Sequence, residues 1–172
     1  MKRAFDFSQL IGFAVTIFLG TILHFIYEWC NESRWIAPFS GVNESTWEHM
    51  KLLFWPMLIF SVIESFFRRG RSDFWCIKAR GIMLGLAAIP ILFYTYNGVI
   101  GKSPDWVNIL IFFVSAFLAY FTEYLLFMRE NACKLPSAVS LVITAVTIPL
   151  TLGIRWLMNK IDPMNDVTGD IA

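Results

Sequence analysis

Charge is scarce in this chain. Only 16% of its 172 residues carry it, against about 25% in a soluble domain. The few charges nearly cancel, 14 Lys and Arg against 13 Asp and Glu, for a formal net of +1. That balance offers no basic face and excludes nucleic acid as a partner. Low-complexity segments and internal repeats are absent, so a single transmembrane domain is expected over residues 1–172. The N-terminus "MKRAFDFSQLIGF" begins positively, as a signal peptide does. No small-x-small cleavage site follows, and the apolar stretch exceeds the roughly 7–15 residues of a signal core, so it reads as a retained first helix.

Apolar residues are abundant instead: 57% of the chain, with Phe alone occurring 17 times and a mean hydropathy of +0.60. They fall in runs near the roughly 20 residues that cross a bilayer. Five spans are expected, at about 7–29, 51–67, 82–100, 106–128 and 137–158, followed by a polar tail at 159–172. The fold class is an all-α integral membrane bundle, with the lipid bilayer as its first partner and the cell (cytoplasmic) membrane as its location. Lys2, Arg3, Arg68, Arg69, Arg71, Lys78, Arg80, Arg129 and Lys134 fall on one side of such a threading; Arg34, Lys51, Lys102, Arg155 and Lys160 fall on the other. The positive-inside rule then favours N-in and C-out. Trp29, Trp35, Trp47, Trp106 and Trp156 gather near the outer boundary and Trp75 near the inner one, as an aromatic belt would.

Cysteine is rare, three in all. Cys30 is assigned outside and Cys76 and Cys133 inside, facing a reducing compartment, so three free thiols are expected. "NES" occurs twice, at 31–33 and 43–45, each formally a glycosylation acceptor. Gly81, Gly85 and Ala88 lie on one face of the third span, where small residues allow close helix approach. That face serves either a helix of the same chain or a homodimer. Pro56, Pro90 and Pro149 interrupt backbone hydrogen bonding inside spans two, three and five.

Both histidines and four glutamates lie between residues 24 and 49. "TILHFIYEW" places Glu28 four residues after His24, on one face of the first span. "NESTWEH", residues 43–49, opens the second. Ser45 and Glu48 fit a capping box, with the carboxylate also favoured by the helix dipole. Capping leaves His24, Glu28, Glu44 and His49 unexplained. These four form a candidate metal set, because imidazole and carboxylate suit Zn, Fe or Mn and helix-borne ligands of this kind build carboxylate-rich bundle sites. Tyr94, Tyr96, Asn97, Asp105 and Asn108 come to the same outer boundary. Arg155 also does, either to bind an anionic group or to snorkel. Near the inner boundary Glu64 has Arg68 one turn on, whereas Glu123 has no such partner on its own helix.

"HFIYEW" followed by "APFSGVNESTWEHMKLLFWPMLIFSVIE" resembles an uncharacterised family of small multi-pass bacterial membrane proteins, a domain of unknown function. The resemblance rests on His24, Phe25, Tyr27 and Trp29, then on Asn43, Glu44, Ser45, Trp47, Glu48, His49 and Lys51. It extends to about residue 158, and the tail departs from it. It implies a bacterial multi-pass membrane protein and no particular reaction.

The leading functional expectation is a small membrane-embedded enzyme acting on a lipid-like or amphiphilic substrate. In its metal-dependent form His24, Glu28, Glu44 and His49 are the ligands of a divalent ion. Glu48 is the general base for a bound water unless it only caps the helix, Glu44 is also counted with the catalytic residues, and Arg155 binds an anionic group. The alternatives are a proton-coupled transporter, dimeric through the Gly81/Gly85 face and using Glu28, Glu44, Glu64 or Glu123, and an accessory or structural subunit.

Overall fold

The computed structural model describes residues 2–31, 33, 35–42, 46–68, 71–101, 104–129 and 133. Within them the chain is all-helical: α1 (Lys2–Trp29), α2 (Thr46–Phe67), α3 (Phe74–Val99) and α4 (Asp105–Phe127). Each of these four is long and apolar enough to cross a membrane. The fifth expected span, 137–158, lies outside the described residues together with the tail, Pro149 and Arg155.

The helix ends have local causes. α1 stops where Asn31 adopts φ 53°, with its amide on the Glu28 carbonyl at 3.0 Å; Asn tolerates that left-handed conformation. α3 ends where Gly101 turns to φ 104°, which only glycine adopts without steric cost. α2 and α3 begin at residues 46 and 74, before the 51 and 82 expected from hydropathy. The early turns carry charge, which lowers hydropathy without breaking a helix.

Adjacent helices pack side by side: α1 on α2 and α4, and α3 on α2 and α4, with α1 and α3 diagonally opposed. Leu52, Leu53, Phe54, Met57, Ile82, Leu86, Ile89, Phe112, Ala116, Ala119 and Tyr120 form the buried centre. Gly81 and Gly85 face neighbours within the chain. A Cβ on Gly81 would lie 2.4 Å from Glu123 Cγ, and one on Gly85 would lie 2.9 Å from Leu53 Cδ2 and 3.0 Å from Ala119 Cβ.

Lys78 lies outside the spans expected at 51–67 and 82–100. It is instead a residue of α3, 1% exposed, and its Nζ stands 2.6 Å from both Glu64 Oε2 and Glu123 Oε2. Glu123 therefore finds its counter-ion on the neighbouring helix. Glu64 also receives Arg68 Nε at 2.7 Å and Ser8 Oγ at 2.5 Å. Burial pulls the Arg68 guanidinium below its ordinary value, with Glu64 opposing. Arg71 donates to the carbonyls of Phe127 and Arg129 at 2.9 and 2.8 Å, closing the C-terminal end of α4.

The expectation of three free thiols does not hold. Cys76 and Cys133 are joined as a disulfide with Cα atoms 5.9 Å apart, and Cys30 is free and exposed. Threading puts both cysteines on one side of the bilayer. Only the packing of α3 on α4 makes them neighbours.

Replacing Lys78 by Met leaves two buried carboxylates to one guanidinium, at an expected cost of about 3–5 kcal/mol. Adding Glu123→Gln restores the balance and should recover most of it. Unfolding in mixed detergent–SDS micelles measures both, and equal stability of the two variants would contradict the pairing. In an oxidising buffer a maleimide should label one thiol per chain, and all three after reduction; three labels without reductant would exclude the disulfide.

Candidate functional site

At the end opposite Lys78, the α1–α2 connection folds back onto the helices. Gly41 N–H donates to the Leu23 carbonyl at 3.3 Å, and Ser40 Oγ–H donates to the same carbonyl. From α2, Lys51 Nζ donates to the Ala37 carbonyl at 2.8 Å and Trp55 Nε1–H to the Pro38 carbonyl at 3.2 Å. Glu48 accepts from Val42 N–H at 3.0 Å and pairs with Lys51 at 2.6 Å. Each anchor satisfies a loop backbone group that would otherwise face a dry interior.

This wrapping brings the two histidines together. Their ring centroids are 5.9 Å apart with planes inclined at 39°. His24 packs edge-on against Phe25 at 5.0 Å. Gly41 covers its other side, where a Cβ would stand 3.4 Å from Nδ1. Both imidazoles line a half-open cavity of about 400 Å³ between α1, α2 and α4, whose other walls are Gly20, Thr21, Phe25, Leu52, Asn108, Ile109, Phe112 and Phe113. Pro56 has no amide hydrogen to offer the Leu52 carbonyl four residues back, and that carbonyl lies 3.0 Å from the Cβ position of Gly20. The cavity thus combines imidazole, amide and hydroxyl groups with apolar walls. A second, apolar groove runs from Thr21 and Phe113 along α1 past Ile17, Ala14 and Leu10.

The expected site residues divide. His24, His49 and Asn108 converge on the cavity. Glu48 does not line it: 1% exposed, it serves the loop and Lys51. It accepts from Val42 N–H; the Ser45 half of the expected capping box lies outside the described residues. Glu28 is exposed on the last turn of α1, while Glu44, Ser45 and Arg155 lie outside the described residues. Among the described residues no three His, Cys, Asp or Glu side chains are disposed to hold a metal ion, so the ligand set His24, Glu28, Glu44 and His49 gains no support. Its helical spacing was sound, yet spacing says nothing of where Glu28 points once α1 is docked. Tyr94, Tyr96 and Asn97 are absent from the cavity walls, and Asn97 bonds back to the Phe93 carbonyl at 2.9 Å. Gly20, Thr21, Leu52 and Phe112 went unnoticed in the sequence.

Residues 3–166 match the family of unknown function DUF6512. The chain belongs to that family, and the match runs past residue 158 into the tail. No curated protein and no solved structure matches it.

Lys51→Met should strand the Glu48 carboxylate and release the connection at residues 33–42. Limited proteolysis of the purified protein should then cut there at least about tenfold faster than in wild type, since losing a buried partner costs more than the roughly 1.4 kcal/mol that a factor of ten represents. An unchanged rate would mean that Lys51 does not hold the loop.

Proposed function

We propose that this chain is a five-span, N-in and C-out membrane protein that binds the polar head of an amphiphilic molecule in the His24–His49 cavity and performs acid–base work on it. The observation that carries this reading is the convergence of two imidazoles from different helices on a cavity whose remaining walls are largely apolar. Small-molecule sites have this character, with a few placed polar groups in an apolar enclosure. A histidine pair can pass a proton between a bound head group and water. Thr21 and Asn108 supply hydrogen-bonding groups for the head, and the apolar groove along α1 suits a hydrocarbon tail. This is the enzyme reading without its metal.

The orientation rests on the excess of Lys and Arg at the Lys78 end. That end also carries Cys76 and Cys133, so N-in requires the pair to be reduced in the cell and to close in an oxidising medium.

The test is the content of the site. Wild type, His24→Ala, His49→Ala and Asn108→Leu are purified in a mild detergent, checked for equal thermal stability, and analysed for retained lipids and amphiphiles by mass spectrometry. Wild type should hold a species that each variant loses by about tenfold or more, the equivalent of one hydrogen bond to a polar head. An identical complement in all four proteins would sink the reading.

A further inference from the structure

A second polar centre stands about 22 Å from the histidine cavity, taking the rise of α4 from Asn108 to Glu123 at about 1.5 Å per residue. Its two carboxylates are not equivalent. Glu64 Oε1 takes Arg68 Nε, Ser8 Oγ–H and, at 3.5 Å, Gln9 Nε2, while its Oε2 has the Lys78 ammonium 2.6 Å away as an ion-pair neighbour and no hydrogen-bond donor. Glu123, fully buried, has Lys78 alone, through Oε2. Its Oε1 meets no hydrogen-bond donor, and neither does the buried Oε1 of Gln9. A cluster that served only to pin helices together would not leave a carboxylate oxygen bare in a dry interior. That oxygen packs against Gly81, where a Cβ would lie 2.5 Å from it, so only glycine leaves room for it.

The groups facing Glu123 come from every packed helix. α3 provides Lys78, and α2 provides Glu64 and Arg68. Tyr120 lies one turn back on α4, with its hydroxyl 2.7 Å from Thr16 of α1. Four aromatic rings, Phe60, Phe74, Tyr120 and Phe127, surround the Lys78 ammonium with centroids 5.6–5.9 Å away. The ammonium is therefore held from several sides and stays in place if one carboxylate lets go.

We propose that Glu123 is a proton-exchange site, a function separate from the histidine cavity and independent of it. On uptake a proton from water forms an O–H bond at Oε1, the Lys78–Glu123 ion pair weakens, and Lys78 keeps its charge and its ion pair with Glu64. The group Glu64, Glu123, Lys78 and Arg68 then passes from net zero to +1. On release the O–H bond breaks, the proton returns to water, and the Lys78–Glu123 pair re-forms. The Tyr120–Thr16 hydroxyl pair, one turn back on α4, and Ser115, whose buried Oγ meets no partner, are the hydroxyls that follow Glu123 along that helix. The ligand is the proton itself.

Infrared difference spectroscopy of the full chain in liposomes, titrated in pH over the range where helicity is unchanged, tests this. Wild type should show a reversible carboxylic-acid carbonyl band that shifts on ¹³C-glutamate labelling. The band should vanish in Glu123→Gln, move in Glu123→Asp and persist in Glu64→Gln. The wild-type spectrum requires no variant to fold. No reversible band, or one that survives in Glu123→Gln, overturns the proposal and leaves Glu123 a fixed ion-pair partner.

Discussion

The Lys78 ammonium and the two carboxylates that hold it are the interaction on which the rest of the bundle depends. Charge inside a membrane-spanning bundle has to be neutralised by the protein itself, because lipid offers nothing in return. Here neutralisation requires all four described helices to meet at one level. α1 brings Ser8 and Gln9, α2 brings Glu64 and Arg68, α3 brings Lys78 and α4 brings Glu123. Close approach of α3 to α4 follows, and with it the need for glycine at position 81. Phe127 is set beneath two guanidinium groups, Arg68 at 5.1 Å and Arg71 at 5.0 Å, so that end of the bundle is tied by ions and by the rings that line them.

The opposite end is held differently. There the polar groups anchored are backbone carbonyls and amides of a connection folded over α1 and α2. Lys51, Trp55 and Glu48 act as its fastenings. Within "NESTWEH" the labour is divided at a single peptide bond. Glu48 points into the fold and is consumed by it, while His49 points to the cavity and meets His24. A carboxylate spent on structure and an imidazole left to chemistry sit side by side because consecutive helical residues face about 100° apart.

Much of this was legible in the residues. Apolar runs of bilayer length showed the four helices, and the pairing of Glu64 with Arg68 followed from i,i+4 spacing. The clustering of both histidines at one boundary followed from the hairpin of α1 and α2. Illegible were the features that need two helices in register. Lys78 looked like a loop charge because hydropathy averages over a window and cannot see that one cation in "FWCIKARG" faces inward while Arg80 faces out. Glu123 looked partnerless because its partner is 45 residues away in sequence. Cys76 and Cys133, separated by 57 residues, were judged by compartment when their geometry decided the matter.

By itself the sequence determined the medium, the helical class and the polar residues that demand an explanation. A backbone in lipid must satisfy its own hydrogen bonds within each segment, so composition and run length are enough to specify helices. Which charges pair, which thiols join and which histidines share a cavity were decided only by the tertiary structure. Those contacts depend on the rotation and height of one helix against another, and these are set by side-chain packing across the interface, which no local pattern along a single helix contains.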